Sequence, residues 1–206
     1  MTFPPVEVTR LSLRSSPSYE AIRRKVEATL SGDARLGALP QAASYDSLSQ
    51  AASYGAGALC VDVAGAEERR DVLARALHAV RGGGLHLPVL VDDAGTSIGP
   101  LTTPGYSACL ECAGDDINRA ASLPEPAVVP PRASVAPAPL VVALVAATAA
   151  LEVGRIVSDA DRLPLSLDHV IRVRHDTGAV GILGVGQVDG CEVCGSLIEL
   201  RLRGEL

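Results

Sequence analysis

Four cysteines in two CxxC pairs, Cys109 with Cys112 and Cys191 with Cys194, are the residues of this sequence best equipped for chemistry. CxxC is the shortest spacing at which two thiolates of one tight turn can point at the same ion. Two such turns complete a tetrahedral shell of sulfurs with no open position for water or substrate. That is the donor set of a structural zinc ion, one per chain. The long separation between Cys112 and Cys191 makes the site a clip between distant segments rather than a compact finger, and zinc would contribute to folding directly. The alternatives are a redox pair and four unliganded buried thiols. Neither pair is expected between a strand and a helix start with an aromatic and a proline, so the redox reading is disfavoured. The fifth cysteine, Cys60, lies in the apolar run ALCVDVA and reads as a core thiol. His78, His86, His169 and His175 have no partner at ligand spacing and read as solvated or capping residues.

Composition narrows the setting. The chain has 206 residues, is 48% hydrophobic and 20% charged, and can bury a real core. Aromatics make up only 2% and tryptophan is absent, so that core must be built from Val, Leu, Ile and Ala. A net charge of −6, from 18 basic and 24 acidic residues, argues against a nucleic-acid partner. The basic cluster Arg23, Arg24 and Lys25 falls on a predicted helix as a solvated face. No signal peptide is visible at residues 1–15, where Pro4 and Pro5 interrupt the chain. The most apolar stretch, Leu140 to Leu151, is shorter than the roughly 20 residues a bilayer requires. The expected location is cytoplasmic, with no membrane partner, and the five-cysteine count then favours metal over disulfides.

The elements that must position these residues follow from periodicity. Val6 to Leu13 reads as a strand, and Tyr19 to Leu30 as a helix after the turn Arg14-Ser-Ser-Pro-Ser. Arg35 to Leu39 is predicted as a short strand and Tyr45 to Tyr54 as a short helix. Ala58 to Ala64 is a continuous apolar run between glycines, the pattern of a strand buried on both faces. Ala66 to Val80 has a helical period, Gly82 to Gly84 ends it, and Leu87 to Val91 is the next strand. Strand, helix and strand with short connections imply a parallel βαβ unit. Ser97 to Thr103 is a further predicted strand, and residues 119–139 a Pro/Ala-rich connection. Leu140 to Val157 is a helix apolar almost all round, hence buried against the sheet or a partner chain. Leu167 to Val173 and Val180 to Val185 form a hairpin around Asp176-Thr177-Gly178. The Gly-rich stretch from Gly184 to Gly190 is read as its exit, opening no helix. The fold class is α/β: a truncated Rossmann-like, mostly parallel sheet with a C-terminal β-hairpin tied on by a four-cysteine zinc site.

The run from Pro88 to Cys112, PVLVDDAGTSIGPLTTPGYSACLEC, resembles the E1-like (ThiF-type) superfamily, which adenylates C-terminal carboxylates of proteins and peptides. The GP–x–x–x–PG stretch, the ACLxC motif, the downstream apolar helix, the hairpin and Cys191-Glu-Val-Cys194 match its layout over residues 56–200. It looks most like the E1-like proteins of ribosomal peptide natural-product pathways, which partner a YcaO-type cyclodehydratase in making azolines. The resemblance implies one degenerate E1-like domain over residues 1–206. Residues 1–55 would be a reduced nucleotide half, and 56–118 with 140–206 the core.

The adenylating parts are where the sequence departs from that family. ATP-using members open with a glycine-rich turn after the first strand, so that backbone N–H groups can approach phosphates. The corresponding turn here, Arg14-Ser-Ser-Pro-Ser, has no glycine. The family's Asp-Asn pair after the central strand is replaced by Gly65 and Ala66, with Asp62 inside the strand. The nucleotide half is short, and residues 1–13 leave no room for the winged-helix module that binds leader peptides. The expectation is a non-catalytic pseudo-E1 scaffold or partner subunit, with no catalytic or ATP-binding residue assigned and zinc as the one cofactor. Its partners would be the modifying enzyme, the precursor peptide, and a second copy or an E1-like homologue as dimer mate. The alternative is an ATP-dependent adenylating enzyme, alone or with a homologous subunit, with Arg69, Arg70, Asp92 and Asp93 as a rebuilt site. A stand-alone zinc-ribbon interaction module would explain the cysteines and leave the βαβ portion unexplained.

Overall fold

The sheet is organised around one strand, Ala58–Gly65, all eight residues of which are buried. In the computed structural model, which describes residues 8–32, 41–42, 57–103, 107–114, 138–158 and 163–204, this strand is β3. It is preceded by β1 (Arg10–Ser15), α1 (Glu20–Ser31) and β2 (Gln41–Ala42). After it come α2 (Arg69–Arg81), β4 (Leu85–Val91), β5 (Gly95–Ile98), α3 (Pro139–Ser158), β6 (His169–Arg174), β7 (Val180–Gly184) and α4 (Glu192–Leu202). The strand order is β2-β1-β3-β4-β5-β6-β7. The first four strands run parallel and the last three pair antiparallel. This matches the sequence-based reading of a parallel βαβ unit followed by a C-terminal hairpin. The expected strand at Arg35 to Leu39 and helix at Tyr45 to Tyr54 lie outside the described residues.

Strand alternation gives the sheet two different faces. On one, Leu11, Leu13, Leu59, Val61, Val63, Leu87, Val89, Ile98, Ile171 and Val173 form a core with α1 and α3. Helix α1 presents Ile22, Val26 and Leu30, a strict i, i+4, i+8 stripe, to that core. On the other face α2 lays Ala79 over the small side chains of Ala58 and Cys60. Gly84 lets the chain re-enter the sheet close to β3: a Cβ there would lie 2.9 Å from the Ala58 carbonyl oxygen.

Helix α3 is buried along one side only. Val145, Ala146, Ala149 and Val153 are buried, whereas Leu140 is 82% and Leu151 65% exposed. The apolar residues read around the whole helix are thus split between a buried side and an exposed one. With 20 residues it is also longer than the apolar stretch measured in the sequence, and by length and composition it could cross a bilayer. Its inner side, however, packs on α1 and carries Glu152, fully buried, which accepts a hydrogen bond from the Ser166 N–H and pairs with Arg155. That is the arrangement of a core helix.

A second difference lies at the C-terminal end. The glycine-rich stretch after β7 does open a helix, α4, which starts directly after Cys191. Its apolar residues do not share one stripe and Gly195 sits within it, so no helical period is legible in the sequence. Cys194 and Leu197 are its buried anchors.

Candidate metal centre

The structure brings all four cysteines of the two CxxC pairs together. Their sulfurs lie within 4.8 Å of one another. The separations are 3.7 Å for Cys109 to Cys112, 3.6 Å for Cys109 to Cys191 and 3.4 Å for Cys112 to Cys194. Four thiolates around one zinc at ~2.3 Å place neighbouring sulfurs roughly 3.8 Å apart, so the cluster has the size such a shell needs. Cys109, Cys112 and Cys194 are buried and Cys191 is half-buried.

The local sequence explains why the sulfurs converge. Cys109 and Cys112 sit in a turn whose backbone is held from two sides. Asp168, with a left-handed backbone (φ 55°), accepts a hydrogen bond from the Ala108 N–H at 2.7 Å, and the Gln187 amide donates to the Ser107 carbonyl at 3.1 Å. The Val188 N–H donates to the Cys112 sulfur at 3.4 Å, a contact that favours a charged thiolate. Cys191 stands at the start of α4 and Cys194 one turn on, so this helix fixes the second pair. The shell ties the first CxxC turn to a helix that enters from beyond the hairpin. Hydrogen bonding with Cys194, and then burial, raise the Cys109 thiol above its ordinary range, and burial raises Cys112. A cation is what would let these four clustered thiols, three of them buried, exist together as thiolates.

Positive charge lies next to the cluster. Arg69 and Arg70 line a cavity of about 490 Å³ with Glu111, Cys112, Val188 and Cys191. Arg69 also donates to the Leu110 carbonyl, between the two cysteines of the first pair. A divalent ion in four thiolates carries two net negative charges, which these guanidinium groups would balance. The other two candidates for a rebuilt nucleotide site go elsewhere. Asp92 accepts hydrogen bonds from the N–H groups of Ala94 and Gly95 and pairs with Arg172 at 2.7 Å. Asp93 is exposed, and neither aspartate lines that cavity.

In open α/β sheets ligands bind where the strand order reverses, outside the carboxyl ends of the strands. Here that place lies between β1 and β3. The chain leaves β1 through Ser16 into a 3-10 turn, Pro17–Tyr19, that runs directly into α1. Glu20, in the first turn of α1, accepts a hydrogen bond from Ser15 at 2.7 Å and pairs with Arg23 and Arg24. Across the crevice the Glu67 carboxylate lies against Gly65. Burial, with Glu67, Glu68, Asp93 and Asp92 close by, raises the Tyr19 hydroxyl. Of these carboxylates Glu20 and Asp92 are paired with arginines, which leaves Glu67 as the one set against Gly65 at the end of β3.

Sequence reasoning missed a buried polar cluster beneath α2. His86, read as solvated or capping, is fully buried, and its Nε2 lies 3.0 Å from Asp62 Oδ2. Arg75 donates to the same oxygen at 2.8 Å, and Arg14 stands 3.8 Å from Oδ1. The one available signal was an aspartate inside an otherwise apolar strand. Cys60, Asp62 and His86 hold donor atoms within 4.8 Å of one another, but two arginines already neutralise the carboxylate, so a metal ion would meet repulsion there. Of the remaining histidines, His175 contacts the Thr96 hydroxyl at 2.9 Å and His169 the Leu167 carbonyl at 2.8 Å.

Asp168 touches no sulfur yet aims the first CxxC turn. Replacing it with alanine is expected to weaken zinc binding about 10- to 100-fold, the usual cost of losing an outer-shell partner. Competition with a chelator of known affinity would measure it, and unchanged affinity would remove Asp168 from the site.

No family model and no curated protein matches the sequence. Among solved structures, the heterocyclase TruD matches with a TM-score of 0.61 and 16% identity, over 97% of this chain and 29% of that one. A heterocyclase in complex with substrate and cofactor matches with a TM-score of 0.60 and 14% identity, over 95% and 26%. MccB of E. coli, solved with AMPCPP and MccA, gives 0.49 and 19% identity over 78% and 47%. The chain spans less than half the length of each of these three structures. At such identities the likeness is one of fold. The chain is an α/β protein whose fold is shared across nearly its whole length with part of each of two heterocyclases.

Proposed function

We propose that this chain is a non-adenylating E1-like protein that holds one structural zinc ion through Cys109, Cys112, Cys191 and Cys194. It serves, on this reading, as a cytoplasmic scaffold or partner subunit for a peptide-modifying enzyme of ribosomal peptide natural-product biosynthesis. The observation that carries the reading is the crevice between β1 and β3, where the turn out of β1 through Pro17–Tyr19 holds no glycine and the Glu67 carboxylate lies against Gly65. A triphosphate entering it would meet the Glu67 carboxylate and, in the turn from β1 to α1, no glycine to bring backbone donors close. The fold shared with two heterocyclases supports the peptide-modifying setting. The exposed flank of α3, with Leu140 and Leu151, suits dimerisation with a second copy or an E1-like homologue. We read residues 1–206 as one degenerate E1-like unit with 119–139 as its connection.

The test is a calorimetric titration of the zinc-loaded protein with Mg-ATP. The expected result is no binding up to about 1 mM, a threshold near −4 kcal/mol. Micromolar binding would instead favour the alternative, an ATP-dependent adenylating enzyme acting alone or with a homologous subunit. The paired guanidinium groups of Arg69 and Arg70 beside an open cavity are the observation that speaks for it.

A further inference from the structure

β7 ends the sheet, and among the described residues no strand pairs with its outer edge. In its antiparallel pairing with β6 the Arg174 N–H donates to the Ala179 carbonyl and the Val185 N–H to the Asp168 carbonyl. Hydrogen-bonded pairs alternate along an antiparallel ladder, so Gly181 and Leu183 also turn their backbone groups toward β6. Val180, Ile182 and Gly184 turn theirs away from the sheet. Among the described residues none bonds to these outward N–H and C=O groups.

Exposed edges are normally protected by charged residues, proline or a covering element. Residues 179–188, AVGILGVGQV, contain no charge and no proline. Among the described residues nothing crowds the faces of this segment either: a Cβ at Gly181, Gly184 or Gly186 would meet nothing within 4 Å. Val180 and Ile182, 50% and 53% exposed, lie opposite Val173 and Ile171 and so share the face covered by α3. The helix stops short of them. Leu144 of α3 reaches 3.6 Å from a Cβ position at Gly178, and the exposed Leu140 continues this apolar flank. An apolar shelf therefore runs alongside the free backbone groups.

We propose that this edge is a docking site for an extended peptide segment, which adds an eighth strand to the sheet. Free donors and acceptors repeating at every second residue match the backbone of a strand, whereas a helix has no backbone groups left to offer them. The incoming segment is uncharged where it passes Ile182 and carries apolar side chains at alternate positions, against Val180, Ile182 and the flank of α3. This goes beyond the scaffold reading and does not depend on it: the edge is the same whether or not the chain serves a peptide-modifying enzyme.

The probe is a synthetic peptide, acetyl-KVTVTVTK-amide, added to the zinc-loaded full chain while amide hydrogen exchange is followed. Saturating peptide is expected to slow exchange at Val180, Ile182 and Gly184 at least tenfold. Ile182→Pro deletes an outward N–H and no bond to β6, so it is expected to weaken peptide binding at least tenfold with circular dichroism and zinc content retained. Ile182→Lys, which keeps the backbone and charges the edge, gives the same loss should the proline variant fold poorly. Unchanged exchange with peptide, or binding that survives both substitutions, would overturn the proposal. Protection that rises with protein concentration in the absence of peptide would also overturn it, since the occupant would then be a second copy.

Discussion

Cys112→Ser is expected to reduce bound zinc from about one ion per chain to almost none and to release α4 from the domain. Metal analysis reads the first effect, and loss of helical circular dichroism with faster amide exchange after residue 190 reads the second. Structural zinc contributes roughly 10–16 kcal/mol in small fingers that have no core of their own. Here the sheet has an independent core on the α1 and α3 face, so part of the protein should persist without the ion. A loss of at least about 5 kcal/mol in unfolding free energy is the expected outcome. The cluster is composed of Cys109, Cys112, Cys191 and Cys194 and excludes Cys60, which is packed between Ala58 and Ala79. Cys60→Ser should leave zinc content untouched. Native protein that carries no zinc, or a Cys112 variant that keeps its full share, would end the four-thiolate reading.

The second large effect is at Asp62. Removing this carboxylate by Asp62→Ala leaves Arg75, Arg14 and His86 under α2 without their common partner. Breaking a buried pair in this way costs about 3–5 kcal/mol, because the remaining charge is uncompensated. Urea unfolding should register it without any change in zinc content. Acid offers an independent check. Burial by itself would raise the Asp62 carboxyl, but the hydrogen bond and charge of His86 and the Arg75 guanidinium outweigh it and hold the group at about 2, below its ordinary 3.8. A carboxyl held low contributes stability that is fully present above its unfolded value and is lost as pH falls through the folded one. Between about pH 4 and pH 2 the native protein should therefore lose about 2 kcal/mol more than Asp62→Asn, which cannot titrate. Parallel curves for the two proteins would mean that the cluster does not hold the charge.

Much of this molecule was legible in its sequence, and the omissions have a common cause. ALCVDVA announced a strand buried on both faces because nothing but burial explains such a run between glycines. The hairpin was legible through Asp176-Thr177-Gly178, where Gly178 takes a positive φ of 68°. The four metal-ligand candidates followed from donor type and spacing alone. What was not legible depends on partners that only the fold supplies. His86 has no charged neighbour along the chain, and its pairing with Asp62 arises from the parallel register of β3 and β4. Helix α4 has no clear apolar stripe, because two of its fixed points are sulfur donors or their neighbours rather than a run of core side chains. The half-exposed state of α3 was hidden for the opposite reason: an apolar surface reads in sequence like an apolar core.

The 82 residues between the paired cysteines also set a timetable. A ribosome adding about 5–20 residues per second takes roughly 4 to 16 s to make that stretch. For nearly all of this interval Cys109 and Cys112 are already synthesised while Cys191 and Cys194 do not yet exist. The early pair must wait as reduced thiols or as half of a metal site, exposed to oxidants and to competing ions. The parallel half of the sheet can assemble meanwhile, since β1, β3 and β4 all precede Cys109. The last step of biosynthesis would then be a metallation event, and a nascent chain stalled before residue 191 should hold zinc weakly and remain open to thiol-specific labelling.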